Sequence, residues 1–339
     1  MVHERKGERD MNKAGKAKRI LVAYHDKCID GFTSAWIAKR AMEAAHCEVF
    51  LIAMNYEQKY YDLLRNTTIA LEVDAVHIVD FSLPKHFLLG LGHELLNVHI
   101  LTLDHHKTAF ENYLPSFNPE HPPAIQQRWR QENTDIEVIL NMHLSGAGMC
   151  WKYYFPETDV PLLVQYVQDW DLWQFNFGDI TRAINAYLTN KDKYFDVWET
   201  IHMGLAHNFT RTAMIEEGSK LLRVQKKEVD HIVYQARKAN RVFCGHPAFY
   251  VRTSLEFASP VGNAICTANP EAIAIMWDVE SLKGPTTQFS LRSVGDIDVS
   301  EAAKLFGGGG GHKNAAGFTL GTLDALDLIR EMQDKGSDV

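Results

Sequence analysis

The 339-residue chain is poor in cysteine: Cys28, Cys47, Cys150, Cys244 and Cys266 are an odd number, widely spaced and without a CxxC pair. That speaks against a disulfide scaffold and a zinc ribbon, and fits a reducing compartment. Excess positive charge is lacking too, since 35 Lys and Arg face 43 Asp and Glu for a net charge of −8. No global positive field draws in a polyanion, which argues against indiscriminate coating of nucleic acid but leaves room for a local basic pocket. No apolar run approaches the ~18 residues that cross a bilayer. The first nineteen residues contain no hydrophobic signal core. They set Arg5, Lys6, Arg9, Lys13, Lys16, Lys18 and Arg19 against Glu4, Glu8 and Asp10, the pattern of a solvated tail. The expectation is a cytoplasmic protein that meets no membrane.

What is present is a globular composition, 46% hydrophobic and 23% charged, over a length that suits two domains. Arg19–Tyr24, Glu48–Ala53, Ala75–Val79 and Val98–Leu103 read as strands. They alternate with helix-like stretches at Gly31–Ala45 and Phe87–Leu96, and with Asp62–Thr67 as a helix end. Such alternation implies a parallel sheet covered by helices. Thr189–Arg241 turns helical and charged. Short strands then return at Ala248–Val251, Ala272–Trp277 and Gln288–Leu291, followed by a helix over Val299–Phe306 capped by Asp298 or Ser300. The fold class expected is α/β: an N-terminal doubly wound parallel-sheet domain and a smaller C-terminal α/β domain, with a cleft between them. The divisions are a basic tail at 1–18, a catalytic domain at 19–190, a helical connector at 191–240 and a substrate-binding domain at 241–335.

In open parallel sheets, ligands bind beyond the carboxyl ends of the strands. Here Asp30 follows the first strand, Asp80 ends the third, Asp104, His105 and His106 end the fourth, and Asp169 and Asp171 follow the apolar stretch Pro161–Val167. Singly, such residues are commonly caps or turn residues. Together at four element ends they form a candidate metal centre, and carboxylates mixed with imidazoles suit Mn²⁺ or Mg²⁺. Two ions ~3.5–4 Å apart can clamp a phosphoryl group, with Asp80 as the natural bridge. Near the C-terminus five glycines, Gly307–Gly311, run into His312 and Lys313. Each glycine costs about 1 kcal/mol of backbone order relative to alanine. A loop of this kind, leading into a helix-like segment, suits a bound phosphate.

The triplet Asp104-His105-His106 after an apolar strand, Asp80 before it, and the closing run from Ser290-Leu291-Arg292-Ser293 through Asp298 to GGGGGHKNAAGF resemble the DHH phosphoesterase superfamily with its associated C-terminal domain. The resemblance spans residues 20–335. It implies a divalent-metal-dependent phosphoesterase, with Mn²⁺ or Mg²⁺ as a pair of ions. The metal ligands implied are His25, Asp30, Asp80, His105 and Asp169, with Asp26, Cys28 and Asp104 as further candidates. Asp80, Asp104 and His106 would act on the scissile phosphate. Arg292, Gly308, Gly309, Gly310, Gly311 and His312 would hold the substrate. The expected partners are a phosphate ester, short nucleic acid included, and a second copy of the chain.

The first motif departs from the superfamily's pattern, in which carboxylates follow the His by four and six positions. Counting back from Asp30 puts Cys28 where an Asp is expected and Tyr24 where the His is expected. A subset of the superfamily has a similar His…Cys-x-Asp-Gly-Phe arrangement, which favours His25. Whether Cys28 meets metal or is inert packing stays open. So does the substrate, among a short oligonucleotide, a cyclic dinucleotide, a nucleotide and, as an alternative, polyphosphate. A non-catalytic nucleotide sensor is the contrasting class. Trp170, Trp173, Phe175 and Phe177 could stack bases or pack in the core.

Overall fold

β1 (Arg19–His25) is an apolar run flanked by polar residues, and it pairs in parallel with both β2 (Glu48–Met54) and β3 (Ala75–Val79). The computed structural model describes residues 17–333 apart from 27, 57, 96, 119–122, 124, 133, 279–280 and 308. Gly308 and most of the basic tail therefore lie outside the described residues. β4 (His99–Asp104), β5 (Gln127–Arg130) and β6 (Ile136–Leu140) complete a sheet ordered β2-β1-β3-β4-β6-β5, parallel except for β5. The helices between them include α1 (Ile29–Ala44), α2 (Gln58–Ala70), α3 (Lys85–Glu94) and α4 (Lys107–Tyr113). α2 runs on to Ala70, three residues past the end expected from sequence. β5 and β6, short and close in sequence, were not among the strands expected from sequence.

The period-two side-chain alternation of a strand sorts this sheet's residues into two cores. Ile20, Val22, Leu101, Leu103 and Ile139 join one, and Leu21, Ala23, Val76, Ile78, Ile100 and Val138 join the other. Both faces are buried, which is why the strands read as continuous apolar runs. The chain leaves β1 toward β2 on one side and reaches β3 on the other. The β1–β3 boundary is therefore the topological switch point, where the strand ends open a crevice. α5 (Gly146–Tyr154), α6 (Leu162–Asp171), α7 (Asp179–Thr189) and α8 (Phe195–Ala206) follow. Trp198 of α8 is fully buried, donates its indole N–H to Thr33 Oγ1 at 3.0 Å, and packs edge-on against Phe32, fixing the start of α1.

The chain divides into two compact units, one formed by residues to His105 with Ala109–Gly218, the other by Ser219 onward with His106–Thr108. The boundary falls inside the long helix α9 (Asn208–Gln235). The second unit holds β7 (Arg237–Lys238), β8 (Ala248–Arg252), α10 (Leu255–Ala268), β9 (Ile273–Trp277), β10 (Thr286–Arg292), α11 (Val299–Lys304), β11 (Gly310–His312), β12 (Ala315–Gly321) and α12 (Thr322–Gln333). Its sheet runs β11-β12-β10-β9-β8-β7, antiparallel except between β8 and β9, which α10 connects. Asp298 caps α11, accepting from Ser300 N at 2.9 Å. Among the described residues, no helix is long and apolar enough to cross a membrane.

Candidate metal centre

Strand alternation decides which first-motif residue reaches the switch point. Tyr24 packs against the core on one face of the sheet. His25, one residue on, takes the opposite orientation, and its Nδ1 lies 3.7 Å from Asp80 Oδ2. Asp80, just past β3, has φ = +62°. A non-glycine residue in the left-handed region costs about 1–3 kcal/mol and persists where its surroundings impose it. Here the Asp80 N–H donates to Leu103 O at 2.9 Å, and Gly146 presses against the side chain. A Cβ on Gly146 would sit 2.5 Å from both Asp80 Cβ and Oδ1, so only glycine admits this carboxylate.

The N-terminus of α5 orients a second carboxylate. Asp30 Oδ1 accepts from Ser145 Oγ at 2.8 Å and Ala147 N at 2.9 Å, and Oδ2 accepts from Gly146 N at 2.6 Å. The helix dipole adds to these bonds. From the end of β4, His105 Nε2 lies 3.1 Å from Asp80 Oδ1, 3.6 Å from Asp171 Oδ2 and 3.7 Å from Asp30 Oδ2. Asp104, also buried, accepts the His105 N–H on Oδ1 at 2.7 Å.

Among the described residues, two groups of donor atoms contain Asp80, each with all its atoms within 4.8 Å of one another: His25, Cys28 and Asp80, and Asp30, Asp80 and His105. Asp80 belongs to both. Burial, and then repulsion from Asp80 and Asp171, pushes the Asp30 carboxyl well above the usual carboxylate range, outweighing His105 and the Ala147 N–H. The Cys28 thiol is likewise pushed well up, by burial and by Asp80, Asp171 and Asp30, against the Gly31 N–H. Three crowded carboxylates, two imidazoles and a thiol form a donor set that one or more divalent cations would neutralise, so these residues fit a metal.

A DHHA1 domain family model matches residues 261–335. Residues 261–335 are thus a DHHA1 domain. Over 341 aligned residues it is 28% identical to the uncharacterized protein R106 of Acanthamoeba polyphaga mimivirus, covering 93% of this chain and 71% of that one. In fold it is similar to an exopolyphosphatase-related protein from Bacteroides fragilis, at a TM-score of 0.50 and 13% identity over 96% of this chain and 94% of the other. RecJ from Thermus thermophilus in complex with Mn²⁺ aligns at a TM-score of 0.46 and 14% identity, over 94% of this chain and 52% of that one.

Asp169, expected as the fourth-motif ligand, stands in neither donor group, and its carboxylate is engaged within its own loop. Asp169 Oδ1 accepts from Asn176 N at 2.7 Å, and Oδ2 accepts from Phe177 N at 3.2 Å and from Thr181 Oγ1. Burial alone would raise its pKa, but these donors prevail and hold it below the usual value. The residue pins the loop after α6, and Asp171 is the carboxylate of this segment that faces His105. The signal was in the sequence. Leu163, Val167 and Asp171 recur every four residues on one helical stripe, whereas Asp169 lies about 200° round from Asp171. Ser145 and Gly146 were missed as well. Asp26 and Asp104 stand in neither donor group.

The glycine loop leads into the β11–β12 hairpin, not into a helix, so a helix N-terminus does not explain it. Gly310 and Gly311 pair with Gly317 and Ala316. Gly311 has φ = +141°, and a Cβ there would meet Ala315 O at 2.5 Å. In the same unit, the His106 and His312 rings stack with centroids 4.6 Å apart. Arg292, at the end of β10, donates from Nη1 to Leu291 O at 2.7 Å and from Nη2 to Ser259 Oγ at 2.8 Å. Burial lowers its pKa to about 10, so it is charged at neutral pH. The acids near it in sequence are engaged by other residues: Asp296 by Lys313 at 3.1 Å, and Asp298 by the cap of α11.

Proposed function

We propose that this protein is a divalent-metal-dependent phosphoesterase acting on nucleotide-type phosphate esters: a short oligonucleotide, a cyclic dinucleotide or a nucleotide. The observation that carries the reading is the convergence of His25, Cys28, Asp30, Asp80, His105 and Asp171 at the switch point of a parallel sheet. Asp80 stands in both donor groups, which supports a pair of ions, Mn²⁺ or Mg²⁺, sharing that carboxylate. Such ions supply Lewis acidity, polarising a phosphoryl oxygen and acidifying water.

The chain's own residues would do the rest. The three α5 donors hold Asp30 in one orientation, and Asp104 holds the backbone that carries His105. His106 offers an imidazole to polarise the phosphoryl group or to protonate the leaving oxygen. Arg292, a half-buried guanidinium bonded to a carbonyl and a hydroxyl, suits a phosphate dianion, and a guanidinium can grip it bidentately. His312 and the loop at Gly309–Gly311 would add donors to the same anion.

A panel of oligonucleotides, cyclic dinucleotides, nucleotides and polyphosphate, run on metal-stripped and Mn²⁺-loaded protein, tests the proposal. Mn²⁺-dependent release of nucleotide or phosphate is expected from one of the nucleotide-type esters. Turnover of polyphosphate alone would replace the ester reading with a phosphoanhydride one. Silence across the panel, with metal bound, would support a sensor.

A further inference from the structure

The two donor groups around Asp80 differ in chemistry. Asp30, Asp80 and His105 offer hard oxygens and one imidazole. His25, Cys28 and Asp80 offer one imidazole, one sulfur and one carboxylate within 4.8 Å. Three separate elements deliver the second set: the end of β1, the residue that caps α1, and the left-handed turn after β3. Cys28 sits at that cap in extended conformation (φ −106°, ψ 138°), and its carbonyl accepts from Phe32 N at 3.1 Å. The backbone there is held by the helix itself, while the Gly31 N–H points at the sulfur. The other cysteines belong to neither donor group: Cys150 and Cys266 are buried, Cys47 is half-buried, and Cys244 is exposed.

We infer that Cys28 is a direct metal ligand, making the His25–Cys28–Asp80 position selective for thiophilic first-row ions such as Co²⁺ and Zn²⁺ over Mg²⁺. The inference rests on the metal-dependent reading above and adds an asymmetry to it: one thiolate-bearing position beside one all-oxygen-and-nitrogen position. Sulfur donors suit zinc-like ions, whereas Mg²⁺ demands oxygen ligands and gives up water reluctantly.

The test uses the full-length, metal-stripped protein titrated with Co²⁺, read by absorbance and by calorimetry. A thiolate-to-cobalt charge-transfer band in the near ultraviolet should grow to saturation with one ion per chain, and should be absent in Cys28→Ser and Cys28→Asp. Even changes outside the ligand shell move metal affinity about 10–100-fold. Cys28→Asp should therefore shift the ratio of Co²⁺ to Mg²⁺ affinity toward Mg²⁺ by at least about tenfold. A second readout needs no variant: Cd²⁺ should shield Cys28 of the wild-type protein from alkylation, as mapped by mass spectrometry, while exposed Cys244 stays reactive. A Co²⁺ complex with no charge-transfer band, or alkylation of Cys28 at the same rate with and without Cd²⁺, overturns the inference and leaves the phosphoesterase reading standing. Absence of any calorimetric binding of Co²⁺, Mn²⁺ or Mg²⁺ to the wild type overturns both.

Discussion

Exchanging Asp169 and Asp171 for asparagine, one at a time, separates a structural carboxylate from the one proposed to bind metal two residues away. In Asp169→Asn, an NH₂ group replaces one of two oxygens that together accept from Asn176 N, Phe177 N and Thr181 Oγ1. Hydrogen bonds to a charged group are worth about 1.5–3 kcal/mol, and a buried donor left unsatisfied costs about 1–3. The expected loss is about 2–4 kcal/mol of unfolding free energy, with metal affinity of the folded fraction unchanged. Asp171→Asn does the reverse. It removes one of the carboxylates that raise the Asp30 pKa, so the metal-free protein should match the parent's stability or exceed it. Removing one partner of a close, desolvated charge pair costs about 2–5 kcal/mol. At ~1.4 kcal/mol per decade that is roughly 30- to 4,000-fold in Mn²⁺ affinity. Urea unfolding without metal and calorimetric Mn²⁺ titration, on both variants, measure the two quantities. A weakened Mn²⁺ affinity in Asp169→Asn beside a normal one in Asp171→Asn would refute the assignment.

Two further outcomes concern His77 and Arg292. His77 in β3 accepts from or donates to Tyr154 Oη at 2.8 Å, and burial, with His99 nearby, lowers its pKa from 6.5 to about 4. The unfolded chain thus takes up this proton first. The neutral imidazole's contribution is intact above pH ~6.5 and fades by about 3 kcal/mol as pH falls toward 4; urea titrations across that window should show the slope, and His77→Gln should remove it. Arg292→Ala should raise KM or lower kcat/KM by roughly ten- to a hundred-fold, the worth of a charged hydrogen bond at about 1.5–3 kcal/mol, with Mn²⁺ stoichiometry unchanged; steady-state kinetics beside Mn²⁺ calorimetry would show it, and normal kinetics with a lowered melting temperature would take Arg292 out of the substrate site.

Much of the first unit was legible because its strands are buried on both faces and so read as unbroken apolar runs. Their carboxyl ends were visible as the places where those runs stop at Asp80 and Asp104. Harder to read are the places where two candidates differ only by orientation. Tyr24 and His25 are separated by strand alternation, and Asp169 and Asp171 by helical phase, and in each case the neighbouring core decides. The contribution of Ser145 and Gly146 was invisible because it depends on a contact more than a hundred residues away in the chain. Five glycines announce a special backbone, but composition does not reveal whether a helix or a hairpin follows. The hairpin is set by pairing of Gly310–His312 with β12.

The central claim is that the carboxylates and imidazoles at the sheet's carboxyl edge hold divalent metal for phosphate-ester hydrolysis, and the most direct measurement is hydrolysis by chelator-stripped protein before and after addition of Mn²⁺, alongside Asp80→Asn. The account predicts no turnover without metal, recovery on adding Mn²⁺, and loss of several orders of magnitude in a still-folded Asp80→Asn, since Asp80 is the carboxylate common to both donor groups. Full activity in the stripped protein, or an Asp80→Asn variant that binds Mn²⁺ and turns over like the wild type, would contradict it.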